Sequence, residues 1–309
     1  CGGGFKWGRT VLQVVIAPFG RVTFLTSYCG DVLTSMVKVM VDFAYIACWT
    51  ASGHWLPSVA DPDKTQQQDL DIYGSCQHAP AMKSVIIPVL SALPLWFRFC
   101  QNLKRYKETH KRFPSIANAG KYSVAQSVVL FGVFHHSFSD SQTAYQVLWY
   151  FSYVFSTLYA YTWDITMDWG LARAQHGFLR QRLMFHHKSV YYIGIFLDFF
   201  LRFAWTLTLV PEDLSVATGQ KWVTAIAPAL AAAELCRRCM WSWFRLENEH
   251  LANTEGYRRV DFVPLHFHAK VDTAEDKKPM KRNTVVVEVV VLAITVASVS
   301  LFAALYKSN

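Results

Sequence analysis

Two carboxylates, Asp164 and Asp168, stand four residues apart in the run YAYTWDITMDWGL at 159–171. On an α-helix that spacing places them on one face. The run closes an apolar stretch that begins near Ala144. Carboxylates at the end of a membrane-length helix need a cationic partner or a purpose. Other apolar stretches supply the cations, as Arg98, Lys121, Arg202, Arg237 and Arg238, together with the acids Asp31, Asp198 and Glu234. Asp198 and Arg202 are four apart, as are Glu234 and Arg238, so each pair can close along its own helix, with Arg237 on a neighbouring face. Each unpaired charge at a membrane helix centre costs roughly 2.5–3.5 kcal/mol, so such a set must pair, line water, or both.

The chemistry these residue types suit is the binding and release of an oxyanion. Arginine offers a planar fork that matches phosphate oxygens in pairs. Lys121 adds a point charge and Tyr122 a hydroxyl donor, while the carboxylates temper the field so that the anion can leave. Trp205 follows Arg202 by three residues and shares its face, where it can wall a pathway or simply pack. Ion pairs that lock a helix bundle explain any one of these pairs. They do not readily explain ten charges in one bundle.

The elements that must carry these side chains are apolar helices. The 309 residues are 52% hydrophobic, 15% aromatic and only 17% charged, against about 25% charged in an ordinary soluble domain. Apolar runs approach the roughly 20 residues that cross a bilayer. They give about six core spans, near 31–50, 82–100, 124–134, 144–168, 191–210 and 220–240, plus a further one at 284–306. The expected fold class is all-α, a polytopic membrane helix bundle. Residues 1–28, broken by Pro18, Gly20 and Arg21, read as an interfacial or broken helix; 29–253 form the bundle, 254–283 a polar cytosolic linker and 284–309 an additional membrane helix.

The net charge of +8 sits in short loops such as 98–112, 173–188 and 277–282, a positive-inside pattern that places these loops and the N-terminal side in the cytosol and argues against nucleic-acid binding. The last of these runs also suits anionic lipid. The acidic loop 53–81 then faces the other side. Cys48 opens that loop and Cys76 closes it, leaving two readings: a disulfide on the oxidising side, or two unlinked thiols. The seven cysteines give no zinc motif. The histidine pairs His135–His136, His186–His187 and His266/His268 read as surface residues, so no metal and no cofactor is expected. The chain begins with Cys and shows no signal peptide, which reads as part of a longer protein.

Several motifs, taken in order, resemble the EXS family, the transmembrane domain of eukaryotic phosphate exporters of the xenotropic retrovirus receptor type. They are APFGRVTF (17–24), GDVLTS (30–35), WFRFCQNLKRYKET (96–109), NAGKYS (118–123), YTWDITMDWGL (161–171), FFLRFAW (199–205) and ELCRRCMWSWFRLENEH (234–250). The resemblance implies a phosphate-conducting bundle whose pathway falls on Asp31, Lys121, Tyr122, Asp164, Asp168, Arg202, Trp205, Glu234, Arg237 and Arg238, supported by Thr34, Arg98 and Asp198. Thr34 stands where members similar to the animal exporter carry Asn, which bears on selectivity. Full-length exporters of the family begin with an SPX domain that senses inositol pyrophosphates, and carry further spans used in dimer contacts; this sequence includes neither. Inositol pyrophosphate is therefore a partner only through a separate SPX domain, and a homodimer stays open.

The leading expectation is a non-enzymatic phosphate exporter or channel-like facilitator in the plasma membrane or an endomembrane. The alternative is an SPX-less Golgi relative that retains or sorts glycosyltransferases, or recycles Golgi phosphate. DWGLAR (168–173) faintly resembles the metal-binding run of CDP-alcohol phosphotransferases, but the further aspartates those enzymes need do not follow Arg173.

Overall fold

The computed structural model describes residues 2–17, 19–20, 22–51, 76, 79–134, 143–204, 221–260 and 282–305. The described residues fall into two compact units, 1–156 with 279–309, and 157–278. Throughout the described residues the architecture is helical, and no strand occurs among them.

In the first unit, α1 (Gly2–Val15) and α2 (Phe24–Thr34) are separated by the break expected around Pro18–Arg21. Thr23 caps α2 reciprocally: its backbone N–H donates to Thr26 Oγ1 at 2.8 Å, and its own Oγ1 accepts from the Thr26 N–H at 3.2 Å. Such a box satisfies two amides that a helix start leaves orphaned. After Ser35 and Met36 the chain enters α3 (Val37–Ala51), bent by 66° from α2. Cys48, near the end of α3, is joined to Cys76 by a disulfide, with Cα atoms 6.2 Å apart.

A π-helical turn at Met82–Ile86 leads into α4 (Ile87–Thr109). His110 adopts a left-handed conformation at φ 55° and ends α4, so that α5 (Arg112–Phe134) returns beside it. The two helices are stitched by polar groups as well as packing. Asn118 of α5 donates to Asn102 Oδ1 at 3.0 Å, and Asn102 donates to the Arg98 carbonyl at 2.8 Å. Helix α9 (Arg282–Leu305), from the far end of the chain, packs on this hairpin. Val296 joins Phe99, Cys100, Leu103, Ala119 and Tyr122 in one buried cluster.

The second unit is built from the end of α6 (Thr143–Trp163), a π-helical turn at Asp164–Asp168, a 3-10 turn at Ala174–His176, α7 (Ser189–Phe203) and α8 (Lys221–Val260). Trp169, Tyr191, Trp241 and Phe244 are fully buried there. Phe244 meets Trp169 at 4.9 Å and Tyr191 at 5.3 Å between ring centroids, which ties α8 to α7 and to the residue that leaves the π turn.

Among the described residues no single helix is long and apolar enough to cross a membrane alone; the bent pair α2–α3 passes that test together. The predicted spans do coincide with helices, but those helices carry the charges and breaks already noted. The second half of α4, for example, holds Arg98, Lys104, Arg105, Lys107 and Glu108. The span expected to run to Val210 is described only through Ala204, and the loop 53–75 lies outside the described residues.

Beside its apolar core the chain buries charges and exposes large apolar side chains. Asp31, Arg98, Lys121, Asp164, Asp198 and Arg237 are buried, whereas Phe43, Phe151, Phe155, Ile193, Phe196 and Phe200 face outward. A water-soluble surface seldom carries so many large apolar side chains while the interior collects ions. A bilayer reverses both preferences, because outward apolar groups meet lipid and charges turn inward.

Candidate functional site

In the second unit three elements, α7, α8 and the π turn, meet at Arg237 of α8. Its guanidinium grips Glu234, three residues earlier on the same helix, through Nε at 2.8 Å and Nη2 at 2.7 Å. The third nitrogen, Nη1, donates to Asp198 Oδ1 at 3.2 Å and lies 3.9 Å from Asp164. Arg202 completes the cluster: its Nε donates to Asp198 Oδ2 at 2.9 Å and its Nη2 to Asp164. Asp198 is therefore shared by both arginines, one on each oxygen. Its relative exposure is 0%, and that of Arg237 is 4%.

Two guanidinium groups thus face three carboxylates. Taking such ions out of water costs several kcal/mol each unless geometry and hydrogen bonds compensate. Here every contact is charge-assisted, the strongest class of hydrogen bond available to these groups. Both arginines are thus held by carboxylates, and Glu234, the partly exposed one, lies at the edge of the cluster.

The sequence spacing predicted that Asp164 and Asp168 share a helical face. The backbone winds this segment as a π turn, Asp164–Asp168, rather than as regular α-helix. Asp164 goes to the arginine cluster, while Asp168 Oδ1 lies 3.8 Å from Arg245 Nε. The expected Asp198–Arg202 pair is present. Glu234, expected to meet Arg238, holds Arg237, and Arg238 lies over the Trp241 ring at 4.9 Å. Trp205 lies outside the described residues.

The first unit holds a second knot. Arg98 Nε lies 2.7 Å from Asp31 Oδ1 and donates to Tyr122 Oη at 3.2 Å, while Tyr122 donates its own hydroxyl to the same Asp31 oxygen. Arg98 Nη1 donates to Gln101 Oε1 at 2.6 Å, and Gln101 Nε2 donates to the Thr26 carbonyl at 3.2 Å. Lys121 stands over the Tyr122 ring, its Nζ 4.5 Å from the centroid, a cation–π geometry that suits a desolvated cation. Thr34 turns its hydroxyl back to the Asp31 carbonyl at 2.7 Å. Gly30 permits this arrangement: a Cβ there would stand 2.5 Å from Arg98 Cδ.

Sequence reasoning missed a third buried network, which fixes the π turn from behind. Asn248 Nδ2 donates to the Asp168 carbonyl at 2.9 Å and to that of Met167 at 3.4 Å. Arg180 Nη1 donates to Asn248 Oδ1 at 3.2 Å, and Arg180 Nη2 lies 3.0 Å from Glu247 Oε1. That same oxygen accepts from Tyr191 Oη at 2.5 Å and from the Met184 N–H at 2.9 Å. Gly170, at φ 63°, leaves room for Asn248, whose Oδ1 would meet an added Cβ at 2.5 Å. The signal was the RLENEH run itself, whose acid and amide end otherwise reads as an exposed helix tail. The spacing Cys236–Cys239 also escaped notice; both thiols are free and exposed, flanking Arg237 and Arg238.

Among the described residues no group of three or more His, Cys, Asp or Glu side chains is arranged to hold a metal ion. His186 and His187 stack edge to face at 5.3 Å on an exposed turn.

An all-α chain with outward apolar side chains and buried clusters of ion pairs is of the helical membrane-protein class. The family assignment is specific: the EXS family model matches residues 3–251, and the chain belongs to the EXS family. It is 36% identical over 276 residues to "SPX and EXS domain-containing protein 1" of Dictyostelium discoideum, covering 88% of this chain and 28% of that protein. It is 33% identical over 267 residues to "Solute carrier family 53 member 1" of Mus musculus, covering 82% of this chain and 36% of that one. The "Xenotropic and polytropic retrovirus receptor 1 homolog" of Danio rerio is 34% identical over 258 residues, with the same coverage of 82% and 36%. The chain spans about a third of the length of these curated relatives.

Proposed function

We propose that this chain forms a transmembrane conduit for inorganic phosphate, an exporter or channel-like facilitator that needs no cofactor. The observation that carries the reading is Arg237, buried among Asp198, Asp164 and Glu234 with Arg202 on the same carboxylates. Such a cluster can trade a carboxylate for a phosphate oxygen without ever leaving a guanidinium bare. Arg237 and Arg202 bind the anion, Asp164 and Asp198 step aside and then return, and their return releases it. Arg98, Lys121, Tyr122 and Asp31 offer the same exchange chemistry in the first unit. The names of the relatives, a solute carrier among them, and the buried charges beside outward apolar side chains both support placement in a membrane, with the basic loops cytosolic. The Cys48–Cys76 disulfide supports an oxidising compartment on the opposite side.

Purified protein in liposomes loaded with labelled phosphate tests the proposal. Efflux is expected from the parent chain and is lost in Arg237→Ala and Arg202→Ala. Normal flux in both variants, at equal protein incorporation, overturns it.

A further inference from the structure

The family match ends at residue 251, yet α9 lies beyond it and reaches into the first-unit knot. One stripe of α9 faces the α4–α5 hairpin: Val285 and Val296 are buried, and Val289, Leu292 and Ala293 are packed on the same cluster. The spacing of 285, 289, 292 and 296 is that of a single helical face. On the same stripe Glu288 accepts from Tyr106 Oη at 2.5 Å and from Arg112 Nη2. Tyr106 belongs to α4 and is fully buried; Arg112 opens α5. The carboxylate therefore fastens α9 across the turn that joins the two helices. Eight residues further on, Val296 shares a buried cluster with Tyr122, and Tyr122 places its hydroxyl on Asp31 beside Arg98.

We infer that α9 is a strap for the anion site around Arg98 in the first unit, with Glu288 and Val296 as positioning residues that act through Tyr122. The inference rests on the proposed phosphate pathway. Tyr122 Oη bridges the pair, donating to Asp31 Oδ1 and accepting from Arg98 Nε, so its hydroxyl fixes the orientation of the Arg98 guanidinium. If Tyr122 drifts, that orientation is lost and Arg98 meets phosphate less well. Loosening the strap therefore weakens anion binding and leaves the rest of the pathway alone.

The test measures phosphate flux against concentration for Glu288→Gln, Val296→Ala, Tyr122→Phe and Val296→Ala/Tyr122→Phe in liposomes. Each single variant is expected to raise KM about three- to ten-fold with kcat within about two-fold of the parent. The double variant is expected to match Tyr122→Phe alone, because both act through one hydroxyl. Unchanged KM in both Glu288→Gln and Val296→Ala, or additive effects in the double variant, overturns the strap. A second readout does not depend on transport: the labelling rate of Cys100, which sits in the same buried cluster, in protein whose other free cysteines are serine. Faster labelling in both strap variants is expected even if the parent moves no phosphate, and an unchanged rate overturns the inference. Absent flux in the parent chain counts against the phosphate pathway itself, so the two failures are distinguishable.

Discussion

Asn248 holds the carbonyl of Asp168 at 2.9 Å, across 80 residues of sequence. The Asp168 carbonyl closes a π turn, where the α-helical ladder no longer supplies its usual partner, and Asn248 provides the missing donor. Removing that side chain takes this donor from a half-buried acceptor, at a cost of at most about 1–3 kcal/mol. Asn248→Ala is expected to lower the detergent melting temperature and to slow phosphate flux, because Asp164 sits at the start of the same turn. Asn248→Gln, which keeps the amide but moves it, is expected to resemble the alanine variant. Wild-type melting and flux in Asn248→Ala would show that the turn holds itself.

Gly30 and Arg98 give a second prediction. A methyl at Gly30 would stand 2.5 Å from Arg98 Cδ, and Arg98 is pinned at its far end by Asp31, Tyr122 and Gln101. The arginine cannot swing away without breaking contacts of the charge-assisted kind, worth about 1.5–3 kcal/mol each. Gly30→Ala is expected to lose most phosphate flux while still reaching the membrane. Equal flux in Gly30→Ala and the parent would mean that the knot tolerates displacement.

How far the sequence reveals the fold depends on what kind of interaction fixes each element. Helix positions were legible because apolar stretches and breakers such as Pro18 and Gly20 act locally. The Asp198–Arg202 pair was legible for the same reason, since both partners lie on one helix. Asp164 and Asp168 lie in a π turn rather than in regular α-helix, which their local sequence does not announce. Glu234 grips Arg237, which the spacing had placed on a neighbouring face. Residues 237 and 238 both lie within helical reach of it, and the stacking of Arg238 on Trp241 is a tertiary preference. Arg180, Glu247 and Tyr191 could not be assembled from sequence, since neither the chain distance nor the loop composition marks them as buried.

The disulfide between Cys48 and Cys76 yields a topology prediction. It encloses a loop of sequence separation 28, and closing such a loop contributes about 3.6 kcal/mol in the chain-entropy model. Mass-tagging of denatured protein with a bulky maleimide is expected to show two more reactive thiols after reduction than before. Cys48→Ser/Cys76→Ser is expected to melt earlier than the parent. Identical tagging with and without reductant would place both thiols in a reducing compartment and reverse the assigned sidedness.

Asp198 and Arg237 separate a locking role from a conducting one. Asp198 is wholly buried and touches both arginines, so Asp198→Ala takes away the carboxylate they share and leaves Arg237 Nη1 and Arg202 Nε without that partner. Losing one partner of a buried pair costs about 3–5 kcal/mol, whereas exchanging a whole pair for apolar residues of similar size is often neutral. Asp198→Ala alone is therefore expected to melt far below the parent. Asp198→Leu/Arg237→Met, which removes one charge of each sign, leaves Arg202 with Asp164 and turns the partly exposed Glu234 to solvent, is expected to recover much of that stability. If the cluster only locks the bundle, the double variant recovers phosphate flux along with its melting temperature. If the arginines carry the anion, stability returns and flux does not. The second outcome is the expected one, and recovery of both together would assign the cluster to structure alone.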